Sequence, residues 1–291
     1  MMPLKIAVPN KGRLSESALE LFRKAGIRVE TSHERKLFAT ALDGAFSILF
    51  VRANDIPEFV QDGVADLGVT GLDLVEEMGK DVERLMDLRF GSCRLVFAAP
   101  EDSPVKGPQD LPDGARVATS FPRLTRAYFQ RAGRGNVRIV EVSGATEVTP
   151  HIGVADYITD LTSTGSTLAM NGLREVDTLL ESTAWVIGCR ESLRDLQKAA
   201  RIQELLFALE SVVTARGKRY LMANVPRESL DEVRKILPGI TGPTIMEISG
   251  HPHLVAAHAV VGERDLFETV NRLKAVGATG ILVLPIERLV P

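Results

Sequence analysis

The chain is poor in cysteine, with two in 291 residues. Cys93 and Cys189 stand far apart and outside any Cys-x-x-Cys spacing. Neither a disulfide framework nor a thiolate metal site is expected, and both should be free thiols in a reducing cytosol. Long apolar runs are missing too: none approaches the roughly 20 residues of a membrane helix. The start, Met1-Met2-Pro3-Leu4-Lys5, enters a strand-like pattern without the apolar stretch of an export signal. Nor is there a surplus of one charge. With 35 basic and 38 acidic residues, the net charge is −3, which removes the electrostatic case for nucleic acid or an anionic membrane. Any anion must therefore be met by local Lys and Arg. No Ser/His/Asp or Cys/His constellation suggests a side-chain nucleophile, and no internal repeat or low-complexity linker is expected. What remains is an ordinary globular balance, 45% hydrophobic and 25% charged, long enough for two or three small domains.

The first 90 residues alternate strand and helix patterns. Lys5 to Val8, Phe46 to Val51 and Asp66 to Thr70 read as buried strands. Leu14, Ala18, Leu21, Phe22 and Ala25 form a helical stripe closed by Gly26. Helices are also expected from Asp55-Ile56-Pro57 to Gly63 and from Leu72 to Met78. A second unit opens near Phe90. It has strands at Arg94 to Ala98, Arg116 to Thr119, Val137 to Val142 and Tyr157 to Leu161, and a helix from Pro122 to Gly133. Trp185 to Cys189 adds a strand and Leu193 to Arg216 a long helix. After Gly217 the order becomes βαββαβ, with a Ser229…Glu232 capping box.

One segment carries more chemistry than any other. The strand ending at Asp160 runs into Leu161-Thr162-Ser163-Thr164-Gly165-Ser166-Thr167, a loop of hydroxyls around one glycine, before a helix expected to start at Leu168. A strand that feeds such a loop into a helix N-terminus suits a phosphate, because N–H groups and hydroxyls face the anion. Asp160 at the strand end suits ribose hydroxyls or a metal ion. An ordinary Ser/Thr-capped loop would have the same composition.

Read from Glu147 through Gly153-Val154-Ala155-Asp156 to Leu168, the segment resembles the signature of the ATP phosphoribosyltransferases, in their long form. Pro9-Asn10-Lys11-Gly12-Arg13-Leu14 and Ala65-Asp66-Leu67-Gly68-Val69-Thr70-Gly71-Leu72-Asp73 resemble the same family. The likeness runs over essentially the whole chain. It implies an α/β fold: a bilobal catalytic unit like the type II periplasmic binding proteins, plus a C-terminal ferredoxin-like βαββαβ domain. Lobe I would comprise 1–89 and 180–212, lobe II 90–179 with the loop, and the regulatory domain 213–291.

The implied reaction joins N1 of ATP to the anomeric carbon of phosphoribosyl pyrophosphate (PRPP) and releases pyrophosphate, opening L-histidine biosynthesis with Mg2+ as cofactor. Such a displacement needs positioning and charge stabilisation rather than a nucleophile. The resemblance implies Asp160 and Leu161 through Thr167 for PRPP. For ATP it implies Lys11, Arg13, Thr70, Gly71, Asp73 and Glu147. Arg35 and Arg52 would help pyrophosphate leave, one of them from a neighbouring subunit, and Asp160 would be catalytic with them. Glu147 and Asp156 remain open between site residues and cap partners, and Asp73 stands open between an ATP contact and a plain N-cap. Arg123, Thr125 and Arg126 sit on a helix, where exposed arginines are ordinary.

The last domain resembles the module that binds L-histidine as inhibitor, at Asn224, Ile240, Thr244, Val260 and Gly280. Asn224 departs from the acidic residue expected there, and Gly242 offers no hydroxyl. His251, His253 and His258 lack the companions of a metal site. A homo-oligomer, dimer or hexamer, is implied in the cytoplasm, with no nucleic-acid or membrane partner. Two rivals stand beside this reading: a periplasmic-type solute-binding protein without catalysis, and the catalytically weak partner of a split enzyme.

Overall fold

The computed structural model describes residues 3–28, 38–40 and 44–290. The chain divides into two compact units, 1–206 and 207–291. Unit one begins with β1 (Leu4–Pro9), α1 (Arg13–Lys24), β2 (Phe38–Thr40), β3 (Phe46–Val51), α2 (Ile56–Gln61), β4 (Leu67–Gly71), α3 (Leu72–Met78) and β5 (Glu83–Asp87). It continues through β6 (Cys93–Pro100), β7 (Arg116–Thr119), α4 (Pro122–Arg131), β8 (Arg138–Glu141), β9 (Tyr157–Thr162), α5 (Ser166–Met170) and β10 (Leu173–Ser182). The return comes through β11 (Ala184–Gly188), α6 (Arg190–Arg194) and α7 (Leu196–Ala215), which carries the chain past the division.

Two sheets result, ordered β2-β3-β1-β4-β11-β5 and β10-β6-β9-β7-β8. With β2 set aside, both follow one plan. The first, second and third strands run parallel as second-first-third, and an antiparallel strand from the other half of the chain enters before the fourth. That intruder is β11 in the first sheet and β6 in the second. This is the bilobal topology of type II periplasmic binding proteins. β4 is buried along its whole length, and β6 over Leu95–Ala99, as strands covered on both faces must be. Phe97 meets Phe129 edge-on at 5.4 Å between ring centres in the second core.

The lobes also share a sequence element that was not expected. Gly63-Val64-Ala65-Asp66 precedes β4, and Gly153-Val154-Ala155-Asp156 precedes β9, the equivalent strand. Both glycines are left-handed, at φ 69° and 70°. Both alanines are buried. The Asp66 carboxylate accepts the Lys5 N–H at the start of β1 (2.8 Å), and Asp156 accepts the Arg116 N–H at the start of β7 (2.9 Å). A repeat of four residues is too short to stand out from the sequence, and only the shared topology exposes it.

Other expectations also shift. Two strands carry too many charges to read as strands. They are β5 and β10, the latter bearing Arg174, Glu175, Asp177 and Glu181 and broken by two register shifts. The expected helix from Leu193 is interrupted at Asp195, whose carboxylate accepts the N–H groups of Gln197 (2.9 Å) and Lys198 (3.0 Å) and caps α7. The capping box at Ser229 does not form: Ser229 makes no side-chain cap hydrogen bond.

Unit two contains β12 (Lys218–Pro226), α8 (Leu230–Ile236), β13 (Thr244–Glu247), β14 (Leu254–Gly262), α9 (Leu266–Ala275) and β15 (Thr279–Pro285). Its antiparallel sheet is ordered β13-β14-β12-β15, the ferredoxin-like arrangement. β12 and β14 alternate between buried and half-buried residues, so one face of the sheet makes the core. Leu221, Ala223, Val225, Val255 and Ala257 pack there with Val233 and Leu273 of the helices.

Candidate functional site

Parallel sheets present loops at the carboxyl ends of their strands, and ligands bind there. In lobe I, β1 ends at Pro9 and delivers Asn10-Lys11-Gly12-Arg13 into the start of α1. Gly12 takes φ 82°, a turn other residues resist. Lys11 and Arg13 are exposed, as is Arg52 directly after β3. Among the described residues, none of these three cations has a carboxylate partner. Arg35 lies outside the described residues.

In lobe II, β9 ends at Thr162, whose hydroxyl accepts the Gly165 N–H at 2.8 Å and folds the loop into a tight turn. Gly165 sits at φ 77°. Ser163, Thr164, Ser166 and Thr167 are exposed, with a 2.9 Å hydrogen bond between the Thr164 and Ser166 hydroxyls. α5 begins at Ser166, two residues earlier than expected, and has five residues. A single turn sums few peptide dipoles, so what this loop could offer an anion is its hydroxyls and N–H groups, not a helix dipole.

Asp160 lies just before the loop. Burial pushes its carboxyl above the ordinary carboxylate range; the Leu161 N–H and the Thr146 hydroxyl oppose that, and the neighbouring charge of Glu147 adds to it. Glu147 occupies a single 3₁₀ turn, Thr146–Val148. The two carboxylates thus lie near enough to feel each other's charge, and no cation pairs with either among the described residues. This donor set fits a ligand rich in hydroxyls, or a magnesium ion, which takes one or two carboxylates and leaves its other positions to substrate oxygens. No cluster of three or more acidic, His or Cys ligands occurs among the described residues.

The two lobes meet around a cavity of about 400 Å³ lined by Arg13, Leu14, Ser17, Gly91, Ser92 and Ser163. An arginine of lobe I and a hydroxyl of the lobe II loop therefore face one space. Gly91, in the crossover between lobes, would drive a Cβ to 2.6 Å from Leu14. Ser17, Gly91 and Ser92 escape sequence reasoning because no spacing marks them.

Other candidates have different roles. The Thr70 hydroxyl is buried and donates to the Ala53 carbonyl (3.1 Å). That leaves only the backbone of Thr70 and Gly71 to offer. Asp73 is 5% exposed and accepts a hydrogen bond from Ser182 (2.6 Å). Burial pushes its carboxyl up, opposed by Ser182 and by the N–H groups of Asp73 and Leu74. Asp73 is thus a buried anchor for the first turn of α3, its carboxylate already engaged by Ser182 rather than presented at the surface. Asp156 is held by Arg116 in a two-pronged pair (2.7 and 3.2 Å), which makes it part of the scaffold. Arg126 pairs with Glu141, and Thr125 joins a buried hydroxyl cluster with Thr119 and Thr159. The Arg123 guanidinium donates to the Glu76 carbonyl (3.1 Å).

In unit two, Asn224, Thr244 and Val260 fall on the sheet face away from the core. A Cβ on Gly280 would sit 3.1 Å from the Asn224 amide nitrogen. Ile240 is 56% exposed in the preceding loop. Gly242 takes φ 109°, which explains why no hydroxyl residue stands there. His258 stacks at a tilt on Tyr220.

A family model described as ATP phosphoribosyltransferase matches residues 52–211, and one described as HisG, C-terminal domain, matches 215–288. The chain belongs to the ATP phosphoribosyltransferase family. A relative of that name from Methanothermobacter thermautotrophicus is 51% identical over the full length of both chains. Another from Gemmatimonas aurantiaca is 54% identical over 99% of this chain and all of its own. Among solved structures, the ATP phosphoribosyl transferase (HisG:HisZ) complex from Thermotoga maritima contains a chain 30% identical, with a TM-score of 0.61. The match covers 71% of this chain and 98% of that one. The two family models together span parts of both units, and the solute-binding alternative is not favoured. No helix among the described residues is long and apolar enough to cross a membrane.

Proposed function

We propose that the chain transfers the phosphoribosyl group of PRPP to N1 of ATP, the first step of histidine biosynthesis. The observation that carries this is the shared cavity, where unpaired Arg13 faces the hydroxyl loop after β9. N1 of adenine attacks the anomeric carbon as that carbon's bond to the pyrophosphate oxygen breaks, and pyrophosphate leaves with the electron pair. The loop from Thr162 to Thr167 holds the 5′-phosphate through exposed hydroxyls and N–H groups. Asp160 accepts the ribose hydroxyls of PRPP, and Glu147 beside it serves ATP. Lys11, Arg13 and Arg52 neutralise phosphate charge; Arg52, and Arg35 from this or a neighbouring subunit, stabilise the departing pyrophosphate. Asp160 and Glu147 also suit a magnesium ion, which would neutralise pyrophosphate when bound. The chain's own residues position the two substrates and supply no nucleophile.

We assign 1–89 with 180–212 to catalytic lobe I, 90–179 to lobe II, and 213–291 to regulation. L-histidine binds at Asn224, Ile240, Thr244, Val260 and Gly280 and inhibits. The open sheet face of the second unit carries exposed Met246, Leu282 and Leu284, apolar surface that supports a cytoplasmic homo-oligomer, dimer or hexamer. Mixing the protein with ATP, PRPP and magnesium should give the absorbance rise of phosphoribosyl-ATP, and adding L-histidine should suppress it. No product under any magnesium concentration would refute the reading. A chain ending near Arg216 should lose histidine inhibition, and inhibition retained in full would remove the regulatory role from the last domain.

A further inference from the structure

Beneath the hydroxyl loop lies an ion pair that the site does not use. Arg94, on β6, is the register partner of Thr162, the last residue of β9. Its guanidinium grips Glu175 of β10 with both prongs, Nη1 to Oε2 at 2.8 Å and Nη2 to Oε1 at 3.1 Å. The two side chains are 36% and 29% exposed, so water screens the pair only in part. The Glu175 carboxylate lies against Gly165 itself: a Cβ there would come within 2.8 Å of Oε1. Gly165 is left-handed, its N–H is taken by Thr162, and its Cα faces a carboxylate. A carboxylate touching the centre of a phosphate loop is a liability, because its charge repels the ligand at short range.

We propose that Arg94 and Glu175 form the floor of the PRPP loop. Glu175 fixes the loop's glycine by contact, and Arg94 cancels the carboxylate charge that would otherwise repel the 5′-phosphate. Arg94 is thus a positioning and screening residue for the transfer. This rests on the reading that the loop holds the PRPP phosphate.

Charge reversal of the effect separates screening from plain structural support. In the full-length protein, PRPP binding is measured by calorimetry and the KM values for PRPP and ATP by kinetics, for Arg94→Met, Glu175→Gln and the double variant. Arg94→Met should weaken PRPP binding at least about tenfold, and less so at high salt. Glu175→Gln should leave PRPP binding as tight or tighter. The double variant should regain most of what Arg94→Met loses, although neither variant restores the ion pair. KM for ATP should stay unchanged throughout. If Glu175→Gln weakens PRPP as much as Arg94→Met does, or the double variant is no better than Arg94→Met, the pair is a mechanical brace and the inference fails. If wild type binds PRPP and Arg94→Met binds it equally, the inference fails alone. If wild type binds no PRPP, the loop reading falls with it.

Discussion

The two lobes of the first unit are built on one plan and diverge where it matters. Each third strand is introduced by Gly-Val-Ala-Asp, and each Asp is tied to the N-terminal end of the lobe's first strand. In lobe I, Asp66 also accepts Ser192 (2.6 Å) and Lys198 (2.7 Å). Burial works to raise its carboxyl, but these bonds together hold it below the ordinary range. In lobe II the partner is Arg116, whose hydrogen bonds keep the Asp156 carboxyl low. Four residues further along, the lobes part. Thr70 spends its hydroxyl on Ala53, whereas Asp160 has no cation partner among the described residues and a raised pKa. The entry to the strand is saturated scaffold, whereas at its exit in lobe II the carboxylate has a backbone N–H and a hydroxyl but, among the described residues, no cation. Ionising a carboxylate against burial and a like charge costs folding free energy that a ligand can offset.

This contrast predicts opposite responses at the two ends of each strand. The largest effect belongs to Asp160→Ala, which should lower kcat/KM for PRPP by about 100-fold or more while the fold persists. Near-normal PRPP kinetics would erase the distinction between the strand ends. Next comes Asp66→Ala, which orphans Lys198, Ser192 and a backbone N–H. It should cost about 3 kcal/mol in chemical denaturation, against about 1 kcal/mol for Asp156→Ala, whose site is more exposed. Equal losses would mean that the extra bonds of Asp66 contribute nothing.

Threonine-to-valine changes then sharpen the comparison. Thr164→Val should raise the KM for PRPP about tenfold with little change in melting temperature. Thr70→Val should cost about 1 kcal/mol and leave the KM for PRPP within twofold. The smallest effect is a matter of pH. The folded pKa of Asp160 lies above its unfolded value, so its ionised form costs stability at pH values above the folded pKa. That cost disappears below the unfolded value. Asp160→Asn should therefore raise the melting temperature by about 2 °C at pH 7 and not at all near pH 3. A rise of the same size at both values would show that charge is not its cause.

Much of the fold was legible because buried strands are continuous apolar runs and the helices carry clear stripes and glycine ends, as at Gly26 and Gly277. β10 was not legible, because its charges alternate irregularly and two register shifts break the period of two. The loop from Thr162 to Thr167 was legible as a hydroxyl-rich turn between a strand and a helix, although its composition alone would equally suit an ordinary capped loop. The fate of Asp73 was not legible, because its partner Ser182 lies 109 residues away. Arg94 and Glu175 were invisible for the same reason, being 81 residues apart and joined only by the sheet.

By itself, then, the order of residues determined the local elements, the family signature and the hydroxyl-rich loop after β9, since these depend on neighbours within a turn or a strand. The tertiary structure alone decided which carboxylates are satisfied. Asp66, Asp73, Asp156 and Asp160 are one residue type, and what separates anchor from candidate ligand is the solvation and the distant partner that folding assigns to each.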